Sequence, residues 1–131
     1  MNLPFAILLS GCGHLDGAEI TESISVLIHL SRHGRQYRCF APDAPQTEVI
    51  NHATHKTQSG HTRNMMVEAA RISRGDIQPL DKLDPLQFAG LILPGGFGAA
   101  KNLCDFAFKG VECTTLPDVE RVFKAFHAAK K

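Results

Sequence analysis

The 131-residue sequence predicts an α/β domain with an open, doubly wound and mostly parallel sheet. Two runs, Phe5-Ala6-Ile7-Leu8-Leu9 and Gly90-Leu91-Ile92-Leu93, have the unbroken apolar character of parallel strands covered on both faces. Each ends in a glycine turn, Ser10-Gly11-Cys12-Gly13 and Pro94-Gly95-Gly96-Phe97-Gly98. Between and after the strands, apolar residues recur at helical spacing. In such a sheet, ligands sit at the carboxyl ends of the strands, where glycine lets backbone N–H groups approach them.

The elements follow in order. After the first turn, Asp16 and Glu19 read as a helix-start capping pair. Ile20, Ile24, Leu27 and Ile28 form one helical face, and Gly34 sits where a helix-ending glycine belongs. Residues 37–41 read as the second strand, completing a β-α-β unit. Residues 42–61 are polar and irregular, with Glu48-Val49-Ile50 as a candidate hairpin arm. Thr62 is placed to cap a helix that carries Met66, Ala69 and Ala70 on one face and stops near Gly75. Residues 89–93 are the next buried strand. Pro117 at a first helical position, with Asp118 and Glu120 behind it, opens a last helix whose stripe is Val119, Val122, Phe123 and Phe126. A crossover helix normally leads to another parallel strand, so residues 1–131 read as a single domain's N-terminal part.

Composition narrows the class. With 44% hydrophobic and 21% charged residues and a formal net charge of +1, the chain lacks the clustered basic face of a nucleic-acid-binding module. Its apolar runs fall well short of the roughly 18–20 residues of a membrane span, and no basic segment precedes residues 1–5. The expectation is a soluble, cytoplasmic protein with no nucleic-acid or membrane partner. Cys12, Cys39, Cys104 and Cys113 are too widely spaced for a Cys-x-x-Cys pair, which points to reduced thiols.

A longer series of residues carries a resemblance. Ser10-Gly11-Cys12-Gly13, Asp16-Gly17-Ala18-Glu19, Cys39-Phe40-Ala41-Pro42-Asp43 and Val49-Ile50-Asn51-His52 are followed by Thr62-Arg63-Asn64 and Glu68-Ala69-Ala70-Arg71-Ile72. The block from Leu93 through Gly98-Ala99-Ala100-Lys101-Asn102-Leu103 completes it. The sequence resembles the ElbB-like branch of the class I glutamine-amidotransferase-like (PfpI/deglycase) superfamily along essentially its whole length. The resemblance implies a flavodoxin-like sandwich, commonly a homodimer, with a cysteine nucleophile on a strand-to-helix elbow and a nearby glutamate. By position Glu22 matches that glutamate and Gly96 the glycine whose N–H faces an oxyanion; the elbow cysteine would fall beyond Lys131.

Each candidate has two readings. A buried Glu22 would be raised in pKa by desolvation and would donate a hydrogen bond to a thiolate; otherwise it is a first-turn glutamate satisfying the helix dipole. Gly95 and Gly96 present N–H groups to an oxyanion, worth roughly 3–4 kcal/mol per donor, or only make a tight turn. Cys12 is a thiol made reactive by a helix N-terminus, or a small residue lining a substrate pocket. Arg63 binds a substrate carboxylate, or makes a surface salt bridge. Asn102 and Lys101 contact substrate, or cap a local helix. His14 is a weaker pocket candidate. His52, His55 and His61 lack complementary ligands for zinc and read as a solvated histidine-rich loop, so neither metal nor cofactor is expected.

The resulting expectation is a cofactor-free, glyoxalase-type enzyme that converts small dicarbonyls to hydroxy acids, with catalytic Glu22 and Gly96 and with Cys12, Gly95, Arg63 and Asn102 at the substrate. The alternative is a non-catalytic stress-response or isoprenoid-metabolism regulatory protein that uses the same fold to bind small molecules. Amidotransferase chemistry would need a His-Glu pair and a synthetase partner, and no residue here points to either.

Overall fold

The computed structural model describes residues 2–131. Its main sheet has four parallel strands: β1 (Phe5–Leu8), β2 (Tyr37–Ala41), β5 (Ile77–Pro79) and β6 (Gly90–Ile92), in the order β5-β2-β1-β6. β1 is central, with Phe5 in register with Tyr37 on one side and Gly90 on the other. Helix α1 (Ile20–Arg32) joins β1 to β2, and α2 (Met65–Ser73) joins β2 to β5.

Alternation along the strands builds two cores. Ile7, Leu9, Cys39 and Ala41 face α1 and α2 through Leu27, Ala69 and Ile72. Ala6, Leu8 and Phe40 face the other layer, where Val119, Val122 and Phe126 of α5 (Pro117–Ala128) pack with Phe88. The doubly wound expectation holds, as does the face assigned to α5, although Phe123 is 41% exposed and not part of its buried stripe.

Several local expectations change. Glu19 alone caps α1, its side chain accepting the Glu22 N–H; Asp16 instead turns inward, because the Ile50 N–H offers it a partner at 2.8 Å. Asn64, not Thr62, caps α2: its side chain accepts from the Val67 N–H while its amide donates to Asp43. The buried face of α2 is Met65, Glu68, Ala69 and Ile72. The hairpin exists, as β3 (Ile50–Asn51) against antiparallel β4 (Lys56–Thr57). Strand β5 escapes the sequence pattern because it is a three-residue edge strand ending in proline. Two single-turn helices, α3 (Gly98–Lys101) and α4 (Phe106–Lys109), intervene between the β6 turn and α5.

Candidate active site

Strand β1 is flanked by β2, reached through α1, and by β6, which lies on its other side. The winding therefore reverses between β1 and β6, and the crevice at their carboxyl ends is the natural ligand site of an open α/β sheet. The two glycine turns predicted from sequence both end there.

Backbone hydrogen bonds tie these turns together. Glu19 N–H donates to Gly95 O at 2.7 Å, Phe97 N–H to His14 O at 2.8 Å and Gly98 N–H to Gly17 O at 2.9 Å. Such contact excludes side chains. A methyl at Gly98 would overlap Ser10 Oγ and the Gly17 backbone. Gly96 has φ +108°, and a methyl there would meet Gly17 O and Glu19 N, so both conformation and space require glycine. Among the described residues, no intramolecular acceptor takes the N–H of Gly95 or Gly96.

Glu22 stands in the first turn of α1, directly over this turn. Its carboxylate rests on Gly95, so that an alanine methyl at 95 would overlap Oε2. The structure thus brings Glu22, Gly95 and Gly96 together. It does not bury Glu22: the residue is exposed, because α1 begins at the rim of the crevice. The desolvated carboxyl expected from sequence is corrected on this point.

Cys12 and Arg63 belong to a different cluster. The charged groups acting on the Cys12 thiol are Arg71, Glu68, Asp16 and Arg63, and burial against the α1–α2 core pushes its pKa up. Desolvation outweighs the pull of the arginines, which does not favour the reading of Cys12 as a helix-activated thiol. Arg63 lies 3.4 Å from Glu68 Oε2, whose nearer partner is Arg71 Nε at 2.9 Å. Arg63 is therefore in the salt bridge that was its second reading.

Asn102 is buried beneath the β1 turn. Its amide nitrogen donates to Ser10 O at 2.9 Å and Asp16 O at 2.7 Å, and its Oδ1 accepts from the Thr47 N–H at 2.9 Å. Lys101 pairs with Glu48 at 2.5 Å, donates to Leu15 O at 3.0 Å and lies 5.2 Å from the Phe97 ring centre. These two side chains hold the hairpin segment against the crevice.

Sequence reasoning missed Asp16 and His52 as supports. His52 Nε2 accepts from the Leu15 N–H at 3.2 Å, which leaves Nδ1 as the protonated nitrogen facing Ile50 O at 3.1 Å. His52 is consequently a tie between hairpin and turn, not a solvated loop residue. Only the recurrence of polar residues beside glycine hinted at this, and that pattern does not name partners 34 to 37 residues away. Among the described residues, no group of three metal-ligating side chains comes together.

Fold and site define a class: a flavodoxin-like α/β domain of the amidotransferase-like kind, with its crevice at the switch point. The comparisons agree. The chain superposes with TM-score 0.92 and 38% identity on the crystal structure of an isoprenoid biosynthesis protein with amidotransferase-like domain from Ehrlichia chaffeensis, covering 98% of this chain and 60% of that one. It is 49% identical over 126 residues to glutamine amidotransferase-like class 1 domain-containing protein 3, mitochondrial, of Homo sapiens, covering 96% of this chain and 47% of that protein. Identity to the ES1 protein, mitochondrial, of Danio rerio is 42% over 134 residues, covering 99% and 50% respectively. No family model matches the chain. These similarities support the glutamine amidotransferase-like class 1 superfamily. The chain spans about half the length of the curated relatives it matches. Those relatives are named as mitochondrial, which lends no support to a cytoplasmic placement. No helix of the described residues is long and apolar enough to cross a membrane.

Proposed function

We propose that this chain is the N-terminal part of an ElbB-like, PfpI-related enzyme that converts small dicarbonyls such as glyoxal to hydroxy acids without a cofactor. The observation that carries the reading is the seating of the Glu22 carboxylate on Gly95, beside the unaccepted N–H groups of Gly95 and Gly96. A carboxylate next to free donors at a switch point suits a reaction that moves a proton beside an oxyanion.

The chemistry closes as follows. A cysteine thiolate, supplied by polypeptide following Lys131, adds to one carbonyl carbon. A carbon–sulfur bond forms, the carbonyl π bond opens, and Gly96 N–H holds the resulting oxyanion. Glu22 then removes the proton from that carbon and returns it to the neighbouring carbon; the first oxygen re-forms a carbonyl as the thioester, and the second, its π bond opened, takes a proton from water to become the hydroxyl. Water cleaves the thioester, so the net change is dicarbonyl plus water to hydroxy acid. In the full-length polypeptide, Glu22→Gln should lower glyoxal turnover by about 100-fold or more. Normal turnover by that variant would refute the mechanism.

A second reading, a regulatory or binding protein of the same fold, is favoured by one observation: partial burial pushes the Cys12 thiol up, so the turn shows no activated thiol of its own. The isoprenoid biosynthesis protein named above lends this alternative a weak metabolic context. The same turnover assay separates the two, since a binding protein shows no turnover even with Glu22 intact.

A further inference from the structure

Beside the glycine turn lies a hollow of about 300 Å³ lined by His14, Gly96, Phe97 and Ala100. We propose that this hollow is the part of the substrate pocket that extends from the Gly95–Gly96 turn away from Glu22, and that His14 is its specificity-determining residue, hydrogen-bonding the second oxygen of a substrate with two adjacent carbonyls. The inference rests on the proposed reaction, and adds to it the residue that distinguishes a dicarbonyl from a simple aldehyde.

Size is the first argument. The hollow is small and open to solvent on one side, which leaves room beside the turn for a substrate of a few heavy atoms. Donor supply is the second. Gly96 brings an unaccepted N–H to one wall, and His14 is the only ionisable side chain among the lining residues. Among the described residues, neither ring nitrogen of His14 has a hydrogen-bond partner, so the imidazole is free to engage a ligand.

Placement is the third argument. His14 O accepts from the Phe97 N–H at 2.8 Å, which fixes the His14 backbone to the glycine turn. The His14 ring meets the His52 ring edge-on, with centroids 5.2 Å apart and planes at 68°. His52 is itself held by Leu15 N–H and Ile50 O, so the ring bordering His14 does not drift. Across the hollow, Phe97 is 52% exposed and lies under the Lys101 ammonium, giving a flat apolar wall. One carbonyl oxygen would sit at Gly96 N–H and its neighbour at the imidazole. A mono-aldehyde would satisfy only the first.

The test uses oxamide, a stable neutral molecule with two adjacent carbonyls, against acetamide, which has one. On the full chain, NMR should show saturable oxamide shifts at the His14 ring and the Gly96 N–H, with weaker acetamide binding. His14→Ala should weaken oxamide binding about five- to tenfold, the worth of one hydrogen bond to a well-placed donor, and His14→Gln should restore most of it. Equal binding of the two amides, shifts elsewhere on the chain, or indifference to His14→Ala would overturn the assignment. The two proposals fail separately. Normal glyoxal turnover by Glu22→Gln removes the proton-transfer mechanism and leaves the oxamide result intact. Loss of turnover in Glu22→Gln, with oxamide binding unchanged in His14→Ala, removes the pocket alone.

Discussion

Replacing Asn102 with alanine tests whether this residue holds the site together or touches substrate. The side chain makes three hydrogen bonds, to Ser10 O, Asp16 O and the Thr47 N–H. The first two are fully buried, so water does not replace the lost amide without opening the turn. At about 1 kcal/mol for each bond made, the loss is about 3 kcal/mol, and the unsatisfied carbonyls push it higher. For a chain between the size classes usually tabulated, about 4 °C per kcal/mol puts the fall in Tm near 12 °C. Asn102→Asp is the stricter variant: it keeps the volume but sets a carboxylate oxygen against two carbonyl oxygens, and should be at least as damaging. Thermal and urea unfolding give the answer. An Asn102→Ala chain melting within about 2 °C of the parent would refute the tie and return Asn102 to the substrate-contact reading.

Gly96→Ala should cost more than an ordinary glycine substitution, because a positive φ and a blocked Cβ position act together. We expect a loss of about 2 kcal/mol or more in urea unfolding, accompanied by weakened Glu19 N–H protection in hydrogen exchange. Unchanged stability would mean that the two turns part more easily than the contacts require. Burial pushes the Cys39 thiol up to about 11 from an ordinary 9.0. The unfolded chain therefore ionises first as pH rises, so stability is fully present below about pH 9 and is lost between pH 9 and 11. Urea midpoints measured across that window should fall, and less steeply in Cys39→Ala; equal slopes would place the loss elsewhere. Cys12, raised for the same reason, should resist alkylation at pH 8 in the folded chain and react once urea is added. Rapid labelling of native Cys12 would contradict the partial desolvation that raises its thiol.

The periodic elements were legible because their signals are local. The apolar runs at β1 and β6 leave few alternatives to buried parallel strands, and the stripe of α5 fixes its inward face. Glu19 and Asn64 show where that reasoning thins: several polar residues near a helix start are equally good caps by type, and geometry chooses among them. Strand β5 gave no pattern at all, since three residues cannot display alternation. Within the site, Gly95 and Gly96 stood out as a glycine turn after a buried strand, and Glu22 and Gly96 through the positions they share with the family the sequence resembles. The supporting roles of Asp16, His52 and Asn102 were not legible, because their partners are distant in sequence and a polar residue alone carries no record of which backbone group it satisfies.

The crevice is made by close backbone contact before it is made by any side chain. Gly17, Gly96 and Gly98 let two turns meet at hydrogen-bonding distance, and that contact aligns the start of α1 over the end of β6. Glu22 then falls on Gly95 simply because it is three residues past the Glu19 cap, whose N–H is already bound to Gly95 O. A helix cap, a strand-end glycine and one backbone hydrogen bond are thus sufficient to place a carboxylate beside unaccepted N–H donors. The same logic explains why the exposed Glu22 keeps a defined seat without being buried: its backbone is fixed from below by the glycine turn, and its carboxylate has Gly95 as a floor.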